Sequence, residues 1–304
     1  MHELIIIGAG PAGITASIYA ARKQMKFLLI SRDIGGQAAL SASIENYSSY
    51  QFISGFDLMS KFREHLEKYA IETAEGSVVA SVEKAGEHFI VTTDTGNYDT
   101  KAVLIASGRR PKELAIEGEQ QFRGKGVSYC ATCDGPLFTG LDVAVAGGGN
   151  SALDAVLQLS KTSPRVYLID SAPRLTADPV LIEKAAQRSN ITLYGNTRIK
   201  AINGERFVTG VTLVRENLVE EAISLRGVFV EIGYSAASDF VKGVERDERG
   251  DVNISCRCET NIPGLFAAGD VTNVSAKQII VACGEGAKAA LQAFSYINKL
   301  KSGI

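Results

Sequence analysis

Apolar residues occur along this chain in short, uninterrupted runs, the pattern of strands buried on both faces of a parallel sheet. The first run covers residues 4–7 and leads into glycines at positions 8, 10 and 13. Pro11 suits the first turn of a helix, which we predict to about Arg22, and a second strand is predicted over residues 26–31. The order of strand, glycine turn, helix and strand is typical of a dinucleotide-binding unit.

The spacing Gly8-x-Gly10-x-x-Gly13 has a physical reason. The first glycine permits a tight turn, the second lets a pyrophosphate approach the backbone, and the third lets the helix pack closely on the strand. The first N–H groups of the helix have no partner within the helix, so they are free to bind the phosphates. Because the turn stands between a strand and a helix, the sequence predicts dinucleotide binding here.

The same unit occurs a second time, from residue 142 onward. A strand over 142–146 leads into Gly147-x-Gly149-x-x-Ala152, then a helix follows, and a further strand ends at Asp170. Alanine at the third glycine position is compatible with the pattern.

Both units also end alike, with an apolar strand followed by a glycine, in residues 101–111 and 226–236. A further strand over 265–270 precedes a helix predicted over 277–297, and we assign this strand to the sheet of the first unit. The sequence therefore predicts an α/β fold with two Rossmann-like (three-layer ββα) dinucleotide-binding domains. The first is formed by residues 1–112 and 241–304, and the second by residues 113–240.

Composition narrows the classes of function. A chain of 304 residues is long for a single core, which favours two domains. The net charge of -2 argues against a nucleic-acid or anionic-membrane partner. No apolar run approaches the roughly 18 residues of a membrane span, and the first residues show no signal-peptide pattern. We therefore expect a cytoplasmic protein. Structural disulfides are rare in that compartment, and a Cys-x-x-Cys pair there is more often catalytic or metal-binding.

The pair Cys130 and Cys133 admits several interpretations. A zinc site with Cys256 and Cys258 would have four sulfur ligands, but the Cys-x-Cys spacing is not the one usual for structural zinc. A second redox pair at those two residues is an alternative, and coincidental cysteines on a strand are the default for them. Cys283 lies in an apolar run and is expected to be a small buried hydrophobe. We favour a redox dithiol at residues 130 and 133 and predict no metal.

Across essentially its whole length the chain resembles the low-molecular-weight thioredoxin reductases and the reductase portion of the flavoprotein subunit of alkyl hydroperoxide reductase. The matching segments are GAGPAG (8–13), GGQ (35–37), ENY (45–47), CATCDG (130–135), GGGNSA (147–152), GLFAAGD (264–270) and KQIIVACGEGAKAA (277–290). The resemblance implies the fold of the FAD/NAD(P)-binding flavoprotein disulfide reductases.

The resemblance also implies a function and its residues. Electrons would pass from a nicotinamide through FAD to the Cys130–Cys133 pair and on to thioredoxin or a thioredoxin-like protein. Cys133 would lie against the flavin, Cys130 would attack the partner, and Asp134 would be the acid that handles protons. The alternative is that Asp134 has no catalytic role and is simply a turn residue before Gly135.

Cofactor contacts are implied at many further positions. Ser31 stands where an acidic residue often meets the adenosine ribose, and Asp33 is the alternative. The positions in the first domain are Gly8, Gly10, Pro11, Ala12, Gly13, Ser31, Gly36, Gln37, Asn46, Val79, Ala106, Gly108, Gly269, Asp270, Lys277, Gln278 and Ile279. Those in the second domain are Gly147, Gly149, Asn150, Ser151, Asp170 and Gly233.

The nicotinamide is expected to be NADH rather than NADPH. Asp170, Ser171 and Ala172 stand where NADPH-dependent thioredoxin reductases have His-Arg-Arg, and an acidic residue suits a free ribose 2′-OH. Other classes remain open: ferredoxin as the electron donor, an NADH oxidase or peroxiredoxin-system reductase, and an electron carrier that docks a partner without turnover. A homodimer is implied by the resemblance, with no nucleic acid and no membrane as partners.

Overall fold

The computed structural model describes residues 1–41, 44–215 and 219–302 of the chain. The chain divides into two compact units. Unit 1 comprises Met1–Arg110 and Ser235–Ile304, and unit 2 comprises Pro111–Tyr234. The sequence-based boundaries, 112/113 and 240/241, lie two and six residues further along the chain.

Strands and helices alternate at the start of each unit, and runs of consecutive strands follow. The strands are β1 (His2–Ala9), β2 (Phe27–Ile34), β3 (Glu72–Glu75), β4 (Val79–Ala85), β5 (His88–Thr93), β6 (Gly96–Ile105), β7 (Arg109–Pro111), β8 (Val127–Ser128), β9 (Val143–Ala146), β10 (Val166–Ile169), β11 (Ile191–Tyr194), β12 (Thr197–Gly204), β13 (Val208–Arg215), β14 (Glu220–Ser224), β15 (Gly227–Val230), β16 (Tyr234–Ala236) and β17 (Leu265–Ala267). The helices are α1 (Pro11–Arg22), α2 (Gly55–Glu67), α3 (Ala131–Asp134), α4 (Asn150–Leu159), α5 (Pro179–Ala186) and α6 (Ile279–Ser302). Short 3-10 helices cover Gly36–Leu40, Gly135–Phe138 and Gly269–Val271. The runs of consecutive strands are β3 to β8 and β11 to β17.

Unit 1 is built on a seven-stranded sheet of order β3-β2-β1-β6-β5-β4, in which β17 also pairs with β6. β3, β2, β1, β6 and β17 run parallel, whereas β4 and β5 form antiparallel pairs. Leu4, Ile5 and Ile6 of β1 are fully buried, as an apolar run in a parallel sheet requires. β17 lies beside β6, so the strand that the sequence assigned to the first sheet is in it.

Helices α1 and α6 pack closely in the core of unit 1. A Cβ atom built on Gly286 would lie only 2.1 Å from the main-chain oxygen of Ala12. Ala289, Ala290 and Ala293 continue the buried face of α6. Small residues on both helices therefore allow their backbones to approach each other.

Unit 2 contains a five-stranded parallel sheet of order β11-β10-β9-β15-β8 and an antiparallel sheet of order β12-β13-β14. All residues of β9, β10 and β15 are buried. β7 and β16 form a separate two-stranded sheet. The predicted α/β class is confirmed. Among the described residues, no helix is long and apolar enough to cross a membrane.

Candidate dinucleotide sites and redox disulfide

The glycine turn after β1 packs tightly against the rest of unit 1. Gly8 has a φ of 102°, and a Cβ atom on it would lie 2.4 Å from the main-chain oxygen of Ala106. A Cβ atom on Gly13 would lie 1.7 Å from the main-chain oxygen of Gly8. These two glycines are therefore required by close backbone packing, with the buried Ala106 at the end of β6 behind them.

Gly10 differs from the other two glycines because it borders open space. A Cβ atom on Gly10 would meet nothing within 4 Å. Gly10 precedes α1, no side chain caps this helix, and Pro11 and Ala12 form its first turn. Gly36, at the start of a 3-10 helix, faces the same place, since its own Cβ atom would lie 3.4 Å from the Gly10 Cα. The open N–H groups of α1 therefore remain available to an anion.

Three polar residues predicted to contact the cofactor have protein partners. Ser31 is buried: its Oγ accepts a hydrogen bond from the Ala9 N–H at 3.0 Å and donates one to the Asp33 main-chain oxygen at 2.6 Å. The Gln37 amide donates to the main-chain oxygen of Arg109. The Asn46 amide donates to Oε1 of Gln278 at 2.9 Å, which brings two predicted residues together over 232 positions of sequence.

Asp270 lies in the 3-10 turn Gly269–Val271 and is partly buried. Burial raises the pKa of its carboxyl, although the cations of Lys277 and Arg109 oppose that change. Both cations also bind the buried carboxylate of Asp251, at 3.2 Å from Lys277 and 3.1 Å from Arg109. The buried Asp251 and the two partly buried cations thus form an ion-pair network whose charges act on Asp270.

The remaining predicted residues of unit 1 have less specific surroundings. Val79 is partly buried and opens β4, opposite Thr93. Gly108 has a φ of 67° and open space where a Cβ atom would stand. Ile279 is partly buried at the start of α6.

The described residues of unit 1 fit a dinucleotide such as FAD. The uncapped first turn of α1 offers N–H groups to a pyrophosphate, and the space at Gly10 would be filled by any side chain there. Asp270 offers a carboxylate for hydroxyl groups. Ser31 does not supply the acid expected at the ribose, because its hydroxyl is engaged within its own turn.

Unit 2 repeats the glycine turn after β9. Gly147 has a φ of 130°, and its Cβ atom would lie 2.3 Å from the main-chain oxygen of Glu231. Gly149 is nearly open, with Thr176 Oγ1 at 3.8 Å as the nearest atom to a Cβ. No side chain caps α4, which begins at Asn150. The turn therefore has the same division into packed and open glycines as the turn in unit 1.

Asp170 lies directly against this second turn. A Cβ atom on Gly148 would lie 1.9 Å from Oδ2 of Asp170, so only glycine fits beside the carboxylate. The other carboxylate oxygen accepts a hydrogen bond from the Ala172 N–H at 3.3 Å. The structure thus brings Asp170 together with the glycine turn that the sequence predicted.

The segment after Asp170 folds back over the same turn. The Thr176 N–H donates to the Gly148 main-chain oxygen at 2.8 Å. The Asn150 amide donates to Asp178 Oδ2 at 3.0 Å, and its Oδ1 accepts the Asp178 N–H at 2.8 Å. Asn150 is therefore engaged with protein groups, whereas Ser151 is exposed. Gly233 has a φ of 91° and open space at its Cβ position.

Cys130 and Cys133 form a disulfide, with their Cα atoms 5.4 Å apart. Cys130 precedes the single turn of α3, and its Sγ accepts a hydrogen bond from the Cys133 N–H at 3.2 Å. Gln158 of α4 anchors this turn, because its amide donates to the Ala131 main-chain oxygen at 3.2 Å. Asp134 ends α3 and is partly buried.

Two carboxylates that the sequence analysis missed lie beside predicted residues. Glu285 of α6 is buried and accepts hydrogen bonds from the Gly269 N–H at 3.1 Å and the Thr272 hydroxyl at 3.4 Å. Glu231 follows β15, and burial raises the pKa of its carboxyl to about 7, against the effect of a hydrogen bond from the Ala131 N–H. Each is an acid in an otherwise apolar stretch of sequence, which is the signal that would have found it.

The other cysteines are free thiols. Cys256 is exposed, whereas Cys258 and Cys283 are buried. Burial raises the pKa of the Cys258 thiol to about 11. No group of three or more histidine, cysteine and acidic side chains suited to a metal occurs in the parts of the chain that the structure describes.

Comparison with known proteins now places these features in a family. A family model described as pyridine nucleotide-disulphide oxidoreductase matches residues 2–286. The chain is 40% identical over 299 residues to an alkyl hydroperoxide reductase component of Staphylococcus aureus, and the match covers 97% of the chain and 59% of that relative. It is 38% identical over 297 residues to an NADH dehydrogenase of Bacillus subtilis, covering 97% of the chain and 58% of the relative. The chain thus spans about three fifths of the length of these relatives.

A solved structure matches nearly the whole chain. Thioredoxin reductase of Lactococcus lactis is 34% identical, with a TM-score of 0.86, and the match covers 98% of this chain and 100% of that one. The resemblance proposed from the sequence, the fold class and the flavoprotein oxidoreductase class are confirmed by these comparisons. The chain belongs to the pyridine nucleotide-disulphide oxidoreductase family.

Proposed function

We propose that this protein is an FAD-dependent disulfide reductase that passes two electrons from NADH to the Cys130–Cys133 pair and on to thioredoxin or a thioredoxin-like protein. The observation that carries the proposal is the disulfide itself, which lies in the same unit as a dinucleotide-type glycine turn. FAD would supply the two-electron relay between the nicotinamide and the disulfide. The thioredoxin reductase neighbour supports thioredoxin as the electron acceptor.

FAD would be held by unit 1. The first turn of α1, from Gly10 onward, would bind the pyrophosphate, and Asp270 would bind hydroxyl groups of the cofactor. The Arg109 and Lys277 cations bind Asp251 and would keep Asp270 in a polar corner.

Within the disulfide we propose distinct roles for the two cysteines. Cys130 would be the thiol that attacks the partner, because its Sγ accepts the Cys133 N–H, a contact that stabilises a thiolate. Cys133 would be the member that exchanges electrons with the flavin, and Asp134 would be the acid that supplies protons. The resemblance to thioredoxin reductases supports this order and also a homodimer.

NADH is the proposed donor because of the position of Asp170. Its carboxylate lies against Gly148 in the second glycine turn, where it would accept hydrogen bonds from a ribose diol and repel a 2′-phosphate. Arg174 is exposed and stands four residues further on, outside the predicted contacts. The name of the Bacillus relative, NADH dehydrogenase, agrees with this preference.

That same relative favours a second candidate, an NADH-oxidising flavoprotein in which the disulfide has no part in turnover. A third arrangement keeps the disulfide chemistry and replaces the nicotinamide by reduced ferredoxin. These candidates differ in which donor bleaches the flavin and in whether a disulfide substrate restores its colour.

Anaerobic titration of the FAD-loaded protein tests the proposal. NADH should bleach the flavin, NADPH should do so much less readily, and oxidised thioredoxin should then restore the colour. The control is the Cys133→Ser variant, in which NADH should still bleach the flavin and thioredoxin should have no effect. Restoration of colour by thioredoxin in that variant would contradict the proposal. Failure of both nucleotides would transfer the donor role to ferredoxin.

A further inference from the structure

Glu119 of unit 2 is a carboxylate with only 1% of its surface exposed. Its Oε1 accepts the Leu114 N–H at 2.8 Å, and its Oε2 accepts the Ala115 N–H at 2.7 Å. Oε1 also accepts the hydroxyl of Tyr129 at 2.8 Å. The buried charge is thus stabilised by three hydrogen-bond donors, as burial of a carboxylate requires.

The side chain of Tyr129 is held at both its hydroxyl and its ring. The hydroxyl is bonded to Glu119, and the guanidinium carbon of Arg123 lies 4.8 Å from the centre of the ring. Arg123 is in turn paired with Glu113 at 3.2 Å. Burial and the carboxylate of Glu119 both raise the pKa of the Tyr129 hydroxyl, so this group remains a hydrogen-bond donor at neutral pH.

Tyr129 directly precedes Cys130, the first residue of the disulfide. The backbone of Cys130 is bonded on both sides. Its N–H donates to the Ser128 hydroxyl at 3.1 Å, and its main-chain oxygen accepts the Asp134 N–H at 3.1 Å. The side chain of Tyr129 therefore connects this tightly bonded turn to the buried carboxylate of Glu119.

We propose that Glu119 and Tyr129 are positioning residues of the disulfide: their hydrogen bond fixes the backbone that enters Cys130 and thereby favours the closed Cys130–Cys133 pair over the open dithiol. The inference rests on the proposed function only in taking this disulfide to open and close during turnover. Two thiols close to a disulfide more readily when the chain already holds them near each other. Without the hydrogen bond, the backbone at residue 130 would have more conformations in the dithiol, whereas the S–S bond would still restrain it in the disulfide.

The test measures the equilibrium between disulfide and dithiol against dithiothreitol. One dithiothreitol closes to its cyclic disulfide, and the Cys130–Cys133 bond opens to two thiols. Two electrons and two protons pass from the reagent to the protein, so no other reactant is needed. The protein is equilibrated without oxygen at a series of reduced-to-oxidised dithiothreitol ratios, quenched with acid and alkylated. Mass spectrometry of the peptide then gives the fraction of Cys130 and Cys133 that is present as thiols.

Tyr129→Phe is the principal variant, because it removes the hydroxyl and keeps the ring for Arg123. The equilibrium should shift about fivefold toward the dithiol, which is a rise of about 20 mV in reduction potential. Glu119→Gln should shift it in the same direction, since an amide cannot accept all three hydrogen bonds. If the two residues act through one bond, the double variant should show no more than the larger of the two single effects.

A matched control lies at the opposite edge of the same sheet. β8, which precedes Tyr129, forms one edge, and β11, which ends at Tyr194, forms the other. The Tyr194 hydroxyl donates to Glu221 at 3.1 Å, and Arg215 lies over its ring at 5.5 Å. Tyr194→Phe thus removes the same kind of bond from the same unit, and its equilibrium should equal that of the unsubstituted protein.

Three results would overturn the inference. The first is an unchanged equilibrium in Tyr129→Phe, and the second is an equal shift in Tyr194→Phe. The third is a loss of thermal stability in Tyr129→Phe with the equilibrium unmoved, which would show that the bond serves the fold alone.

Thioredoxin reduction is measured separately, so that the two proposals fail separately. A shifted equilibrium in a protein that does not reduce thioredoxin would uphold the positioning role and reject the proposed function. An unshifted equilibrium in an active reductase would reject the positioning role alone.

Discussion

The carboxylate of Glu285 accepts a hydrogen bond from the main-chain N–H of Gly269, at 3.1 Å. This bond joins the first turns of α6 to the 3-10 turn that carries Asp270. Glu285 is 6% exposed, and a second bond, from the Thr272 hydroxyl at 3.4 Å, holds the end of the same turn. A buried acid on the core helix therefore fixes the turn proposed to bind the cofactor.

Replacing Glu285 by alanine should destabilise the turn. The Gly269 N–H would lose its acceptor in a buried place, which costs about 1–3 kcal/mol of unfolding free energy. FAD should dissociate more readily, because the Asp270 turn would be less ordered. Thermal unfolding and FAD retention on gel filtration measure the two effects. Glu285→Gln keeps an acceptor and should retain most of both properties. An alanine variant with unchanged stability would show that the bond is not needed.

The close approach of α1 and α6 predicts opposite effects at two neighbouring glycines. Gly286→Ala places a methyl group about 2 Å from the Ala12 main-chain oxygen, so the helices must move apart. We expect a loss of roughly 1–3 kcal/mol in stability. Gly284→Ala, two residues away on the same helix, meets nothing within 4 Å and should gain up to about 1 kcal/mol through helix propensity. Urea denaturation compares them, and equal effects would contradict the packing argument.

Asp170 predicts the nucleotide preference. A like-charge contact with a 2′-phosphate costs several kcal/mol, so kcat/KM for NADH should exceed that for NADPH by about 10²-fold. Ser171→Arg with Ala172→Arg should narrow this difference by supplying cations. Gly148→Ala should weaken use of NADH, because its methyl group would displace the Asp170 carboxylate. Equal kcat/KM values for the two nucleotides in the unsubstituted protein would refute the assignment.

The free thiols should react at very different rates. Because burial raises the pKa of Cys258 to about 11, only on the order of 10⁻³ of this thiol is ionised at pH 8. Its alkylation should accelerate about tenfold per pH unit as pH rises, up to about pH 11. Cys256 is exposed and should be modified first. Peptide mapping after timed alkylation of the native protein measures the order. Rapid joint modification of Cys256 and Cys258 at pH 8 would contradict the burial of Cys258.

The two glycine turns show which parts of the candidate sites could be predicted from the sequence. Gly8, Gly13 and Gly147 are needed where the backbone meets another backbone atom, and such local geometry follows from residue spacing. The partners of Asp170 were also predictable, because a strand end and the neighbouring glycine turn meet at the same edge of a parallel sheet.

The carboxylates of Glu231 and Glu285 were not predictable in the same way. Their partners, Ala131 and Gly269, lie 100 and 16 residues away, and no motif connects them. Ser31 shows the reverse case, since its position in the sequence suggests a ribose contact while its hydroxyl is engaged by the Ala9 N–H. Which side chains meet across the fold depends on tertiary packing, and the spacing of hydrophobic and polar residues along the chain does not encode that packing.

The position of β17 has a consequence for synthesis of the chain. β6 is the fourth strand of the unit 1 sheet, yet it pairs with a strand about 160 residues later, and α6 follows after that. Unit 2 is continuous and leaves the ribosome complete while unit 1 still lacks β17 and α6. During translation the inserted unit is therefore able to fold first. Until β17 and α6 emerge, one side of residues 103–105 of β6 and the face of α1 that α6 covers remain exposed. A chaperone or an aggregating neighbour would meet the nascent protein at that apolar surface.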